Sequence, residues 1–331
     1  MDPEVTIHKK NIRAKEPLVS VILLDWSVRE RFHALDWLNK QDIARDEYEL
    51  IWLELYDGVP PEAMEKADVV VTCNTKGTYS KHKGSNIGYL HARGRIVTNC
   101  DSDAVFPPNF VSSIIKTFDP HGSGELRSIV LMHDQCRNNS ISYPDGISTI
   151  EEVRRYPWLP LWKNVGACTS FRKLDVIRFG GWDEHKTYRG FSAGADLPWR
   201  LMNAGLPQIW HDDSVVLYHF AHPHPEVFKI FSFSLKMWKE LVTPYVHGVP
   251  FTAVESFATG RVLPLTENSE FHKARMALRK IDSESELMIG NLPIPITGFT
   301  KVQKLKMYLK FHKYKLLVLL KYFRPTRRSE T

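Results

Sequence analysis

Two aspartates one residue apart, Asp101 and Asp103, end the apolar stretch in RIVTNCDSDAVFPPNF. Paired carboxylates at the end of a buried strand repel one another and lose hydration, so something cationic must sit between or beside them. A hard divalent ion shared with a nucleotide diphosphate meets that need. Mg2+ and Mn2+ prefer oxygen ligands and are often held by few protein groups plus substrate phosphates. By itself Asp-x-Asp recurs by chance about once in a chain of this acidic content. The local alternative is an Asx-type turn that caps the helix opening near Pro107-Pro108.

The elements around the pair decide which reading has a scaffold. LVSVILL (18–24) is a short apolar, β-branched run, followed by helical spacing from Ser27 through Phe32, Leu35 and Leu38. Strand-like LIWLELY (50–56), DVVVTC (68–73), RIVTNC (95–100) and RSIVLMH (127–133) alternate with helix-like segments. Alternation with short links predicts an α/β fold: a doubly wound, mainly parallel sheet with helices on both faces, which binds ligands at the carboxyl ends of its strands. Asp101 and Asp103 fall at such an end. Beyond a Tyr/Trp/Pro-rich connection come VGACTSF, the turn FGGWDE, helix-like DLPWRLMNAG, and strand-like PQIWH and SVVLYH. Residues 225–245 read as helical, and 246–299 only as connecting segments. Neither GxGxxG nor GxxxxGK[ST] occurs, so the two commonest nucleotide fingerprints are absent.

Composition narrows the partners. The net charge of +6 is uneven: from Lys301 onward ten Lys or Arg face Glu330 alone, a net of +9, which leaves −3 for residues 1–300. A mildly acidic body argues against a nucleic-acid partner. The tail places Val302, Leu305, Leu309, Leu316, Leu320 and Phe323 on one helical arc flanked by lysines, the pattern of a helix lying on an anionic membrane surface. Four cysteines (Cys73, Cys100, Cys136, Cys168) lack metal-finger spacing and read as reduced thiols near the core, which argues against zinc. A polar start and the absence of an eighteen-residue apolar run predict a cytoplasmic protein, peripherally bound to membrane. Asn138-Asn139-Ser140 matches a glycosylation sequon with no expected use.

The ordered pieces resemble glycosyltransferase family 2 on the GT-A fold, over roughly residues 17–225. Asn86-Ile87-Gly88 and Ala92-Arg93-Gly94 resemble the family's helix before Asp-x-Asp. Gly180-Gly181-Trp182-Asp183-Glu184 resembles its GGFDE turn, and Asp196-Leu197 with Arg200-Leu201 its acceptor-side helix. The resemblance implies an inverting, metal-dependent transferase taking a sugar from a nucleotide sugar, a UDP-sugar, to a saccharide or lipid-linked glycan acceptor. Asp101 would contact the donor ribose or sugar, and Asp103 would hold Mn2+ or Mg2+. Glu54 stands where the family places an Asp that accepts from the base. Asp25 and Trp26 follow the first strand, and Trp26 could stack on the base or serve as a core tryptophan. Lys83 would face the diphosphate, or solvent. His219 falls where family members carry a metal-binding His, with His222 in reserve; neutral imidazole suits Mn2+ beside carboxylate oxygen.

At the base that deprotonates the acceptor the match fails, because Ala193 and Gly194 occupy the usual acidic positions. Asp196, or alternatively Asp183 or Glu184, would take that role. Without one of them the chain would be a catalytically silent sugar-nucleotide or glycan-binding subunit. A nucleotidyltransferase is the remaining enzyme reading, and its Gly-rich basic loop is missing. The expected organisation is a catalytic domain over 1–225 and a helical region over 226–331, with a basic amphipathic helix at about 301–325.

Overall fold

A computed structural model describes residues 5–13, 15–27, 29–73, 81–159, 168–178, 181–182, 197–198, 201, 206–211 and 213–222. All belong to the first of two units, Met1–Ile294; the second, Pro295–Thr331, lies outside the described residues, as do the expected boundary at 225/226 and the basic helix.

The chain begins with β1 (Thr6–Lys10), β2 (Val19–Asp25), α1 (His33–Leu38), β3 (Tyr48–Glu54), α2 (Pro61–Lys66) and β4 (Val69–Thr72). It continues through α3 (Lys81–His91), β5 (Ile96–Asp101), β6 (Ala104–Val105), α4 (Phe110–Phe118), β7 (Val130–Met132) and β8 (Gln135–Ser142). Then come α5 (Ile150–Arg154), β9 (Cys168–Arg172), α6 (Lys173–Arg178), β10 (Gln208–Trp210) and β11 (Leu217–Ala221). Eight strands form one sheet in the order β1-β4-β3-β2-β5-β9-β7-β10, and β6-β11-β8 form a second, smaller one. In the large sheet β2–β3, β2–β5, β3–β4 and β7–β10 pair in parallel, while β1, and β9 on both sides, pair antiparallel. The class is therefore α/β with a mixed, mainly parallel sheet.

Strand alternation places one set of side chains on each face. Val19, Val21 and Leu23 of β2 pack with Leu35 and Leu38 of α1, Ala63 of α2 and Phe110 of α4. Ile22 and Leu24 pack on the opposite face with Ile87 and Tyr89 of α3 and Val176 of α6. Burial on both sides is why these strands read as unbroken apolar runs.

Contact between α3 and the sheet needs glycine. A Cβ at Gly88 would lie 2.6 Å from Ile22 Cγ2, and after the helix one at Gly94 would lie 2.5 Å from the Ser20 backbone nitrogen. The helix is also tied to the turn after α6. Asn86 Nδ2 donates to Trp182 O (2.8 Å), Trp182 N donates to Asn86 Oδ1 (2.8 Å), and Trp182 Nε1 donates to Tyr89 OH (2.9 Å). Within the turn, Gly181 has a φ of 73°, a left-handed conformation that side chains disfavour.

Three local readings differ from the sequence. The helix expected from Ser27 starts only at His33, because Ser27 adopts a φ of 58° and Arg29 to Phe32 lie outside any regular element. The strand expected over SVVLYH (214–219) begins at Leu217, after a 3-10 turn at Asp213–Val215. Polar β1 and β8 carry no apolar alternation, so neither is legible by periodicity. β1 is an edge strand, where lysines and polar side chains are tolerated and discourage further pairing. Asn138 is buried: its Oδ1 accepts from Ser140 N, Ser140 Oγ and Ile141 N, while Nδ2 donates to Pro157 O, so this asparagine organises a turn. The four cysteines are free thiols, three of them buried.

Candidate functional site

Parallel strands β2, β3 and β5 all end on an acid, at Asp25, Glu54 and Asp101, and the register sets Asp25 opposite Glu54 and Leu24 opposite Asp101. The acids thus share one edge of the sheet, the carboxyl end where ligands bind in open α/β sheets. Immediately after Asp101 the chain leaves for the small sheet, so Asp103 sits where the two sheets meet. There β6 pairs with β11, with Ala104 opposite His219. That register brings Asp103 and His219 together from positions 116 apart in the sequence.

Asp103 is 4% exposed, and three nitrogens converge on its Oδ2. Arg29 Nη2 lies 2.7 Å away, His219 Nε2 2.9 Å and His222 Nε2 3.2 Å. Burial alone would raise this carboxyl's pKa, but the charges of His219 and Arg29 and the hydrogen bond from His219 outweigh burial and hold it well below the ordinary range. His222 Nε2 also lies 2.9 Å from Arg29 Nη1. One ring nitrogen cannot donate to the carboxylate and accept from the guanidinium at once; the shorter contact and the fixed charge of Arg29 favour acceptance, with the lone pair turned inward. His33 Nε2 donates to Asp103 O (3.0 Å). Burial first pushes the His33 pKa down to about 4, keeping the ring neutral while its N–H anchors the Asp103 backbone.

Asp103, His219 and His222 present one ligand atom each, all within 4.8 Å of one another. Asp103 Oδ1 is buried and has no hydrogen-bond partner among the described residues. One carboxylate and two imidazoles make a donor set suited to Mn2+, and coordination positions remain for phosphate oxygens or water. The residues therefore fit a divalent cation.

Asp25 and Glu54 are buried, and both hold their protons more tightly than usual. Burial raises the Asp25 pKa to about 6, with Arg29 opposing and Asp103 adding to the rise. At Glu54 burial again comes first, followed by the charge of Asp25, and the pKa reaches about 7. Asp25 ionises at the lower pH, so its charge is already present when Glu54 titrates. Glu54 Oε1 accepts from Tyr56 N (2.9 Å), while Oε2 is buried without a partner among the described residues. This edge therefore offers acid oxygens to a ligand that can supply N–H or O–H groups.

Asp101 is held by Lys81 Nζ at 2.9 Å. Lys83, two residues on in α3, is buried, 7% exposed; positions i and i+2 of a helix do not share a face. Trp26 is partly buried against the apolar cluster beneath α3, and the Arg29 guanidinium stands 5.7 Å from its ring centre. The base candidates Asp183, Glu184 and Asp196 lie outside the described residues.

Arg29, Lys81 and His33 escaped the sequence reading. For Lys81 the only signal was a cation opening the helix before Asp-x-Asp. Arg29 was hidden because the expected helix from Ser27 would have turned it away from the strand end.

No family model matches the chain, and no curated protein does. Among solved structures, S. aureus TarS 1-349 in complex with UDP-GlcNAc is similar at TM-score 0.48 and 11% identity, over 79% of this chain and 88% of that one. Mannosyltransferase PcManGT from Pyrobaculum calidifontis, in complex with GDP-Man and Mn2+, is similar at TM-score 0.43 and 16% identity, over 85% and 88%. GalNAc-T7 with UDP, GalNAc and Mn2+ is similar at 0.49 and 12%, over 80% of this chain and 55% of that one. Among the described residues no helix is long and apolar enough to cross a membrane.

Proposed function

We propose that this chain is a metal-dependent, inverting glycosyltransferase of the GT-A type, related to family 2, that takes a sugar from a UDP-sugar. The observation that carries the reading is the convergence of Asp103, His219 and His222 at the carboxyl edge of the parallel strands, beside Asp25, Glu54 and Asp101. Asp103 and the two histidines would hold Mn2+ or Mg2+, which when bound neutralises charge on the leaving diphosphate. Glu54, with Asp25 beside it, faces the base as a hydrogen-bonding acid, and Trp26 flanks it. Asp101, oriented by Lys81, meets the ribose or sugar. Asp196 serves as the base toward a saccharide or lipid-linked glycan acceptor, with Asp183 and Glu184 as alternatives. The basic tail from Lys301 holds the protein to the anionic, cytoplasmic face of a membrane.

Titration calorimetry of UDP and GDP, with and without Mn2+, tests the reading. Metal-dependent UDP binding in wild type and its loss in Asp103→Ala are expected; absence of nucleotide binding under every condition would remove the proposal. A second reading, a donor-binding subunit without transfer, is favoured by Ala193 and Gly194. Metal-dependent release of nucleotide that vanishes in Asp196→Asn, with donor binding intact, would exclude it.

A further inference from the structure

Arg29 touches the same groups that would hold the cation. Its Nη2 meets Asp103 Oδ2 at 2.7 Å and its Nη1 meets the His222 ring at 2.9 Å from Nε2. An ion ligated by Asp103, His219 and His222 needs lone pairs that the guanidinium now engages. The two cations would also repel at such close range. Metal and Arg29 therefore compete for Asp103 Oδ2 and the His222 ring.

The guanidinium has somewhere else to go. It is carried by the loop between β2 and α1, outside any regular element. Its Nε is buried with no hydrogen-bond partner among the described residues, and its contact with Asp25 is a loose 3.8 Å. Part of the donor fork is thus unused, and a guanidinium matches phosphate oxygens in geometry and charge.

We propose that Arg29 is an exchangeable counter-cation: it holds Asp103 in the free protein, yields that carboxylate to the divalent cation, and turns to the diphosphate of the donor. The inference rests on the donor-site reading above and goes beyond it, because it makes metal and nucleotide binding interdependent. Metal alone must displace an ion pair; metal with a diphosphate gives the displaced guanidinium a new partner. By linkage each ligand then tightens the other.

The test is uptake of Mn2+ alone by the full chain, followed through the resonance of free Mn2+, in wild type, Arg29→Met, Arg29→Gln and Asp103→Ala. Two neutral replacements guard against one that fails to fold, which circular dichroism would reveal. The expected result is Mn2+ binding about tenfold or more tighter in the Arg29 variants than in wild type. Saturating UDP should tighten Mn2+ binding in wild type and do so much less in the variants. Mn2+ binding in the variants equal to or weaker than in wild type, with Asp103→Ala still deficient, would overturn the role of Arg29 and leave the metal site standing. No uptake by wild type or either Arg29 variant would overturn the metal site and the exchange together.

Discussion

Glu54→Gln isolates the energetic cost of placing an acid at the buried edge of the sheet. Glu54 is fully buried, and burial together with the nearby charge of Asp25 moves its pKa from 4.5 to about 7. Between those values the unfolded chain has released the proton while the folded chain keeps it. Folding then takes up a proton, so stability falls as pH rises through this window and levels off above about pH 7. Two and a half units correspond to about 3 kcal/mol at 1.36 kcal/mol per unit. Glutamine has nearly the same shape and does not titrate; its oxygen can retain the bond from Tyr56 N, seen at 2.9 Å. A constant offset from the amide placed where Oε2 lies is expected at every pH, and only the pH-dependent part bears on the reasoning. The stability of Glu54→Gln relative to wild type should therefore grow by about 3 kcal/mol from pH 4.5 to pH 8, or roughly 6 °C or more in Tm. Paired thermal and urea melts across that range would measure it. Parallel pH profiles for the two proteins would refute the claim that Glu54 is destabilised as an anion.

Asn86→Ala removes both hydrogen bonds to the Trp182 backbone and leaves a buried N–H and C=O unpaired; urea unfolding should show a loss of about 2–4 kcal/mol. Gly94→Ala drives a methyl against the Ser20 and Val19 backbone, which cannot move as a side-chain tip would, so a loss of about 3 kcal/mol is expected in the same measurement. His219→Ala should weaken Mn2+-dependent UDP binding about tenfold or more by calorimetry, while metal-free binding changes little. Deletion of residues 301–331 should abolish flotation with anionic liposomes, and a truncated protein that floats as well as the full chain would count against the membrane helix.

Much of the scaffold was legible because it is local. Apolar runs such as VSVILL and LIWLEL dictate strands buried on both faces whatever surrounds them, and helical spacing between them dictates the crossovers. The same logic placed Asp101 and Asp103 at a strand end, since a strand that runs into carboxylates must stop where they can be compensated. Polar β1 and β8 were invisible because their pairing, rather than their periodicity, makes them strands.

The site itself depends on contacts between distant segments. That His219 meets Asp103 follows from the register of β11 on β6, with His219 opposite Ala104. That Arg29 reaches Asp103 follows from a left-handed Ser27 that keeps the helix from starting. Lys81 rather than Lys83 reaches Asp101 because of how α3 is rotated on the sheet, an angle set by the close approach at Gly84 and Gly88. From residue types and spacing the chain declares an acidic ligand edge on an α/β sheet. Which cations answer those acids is decided only when separate strands and helices pack, because side-chain charges interact over a few ångströms of space regardless of their separation along the chain.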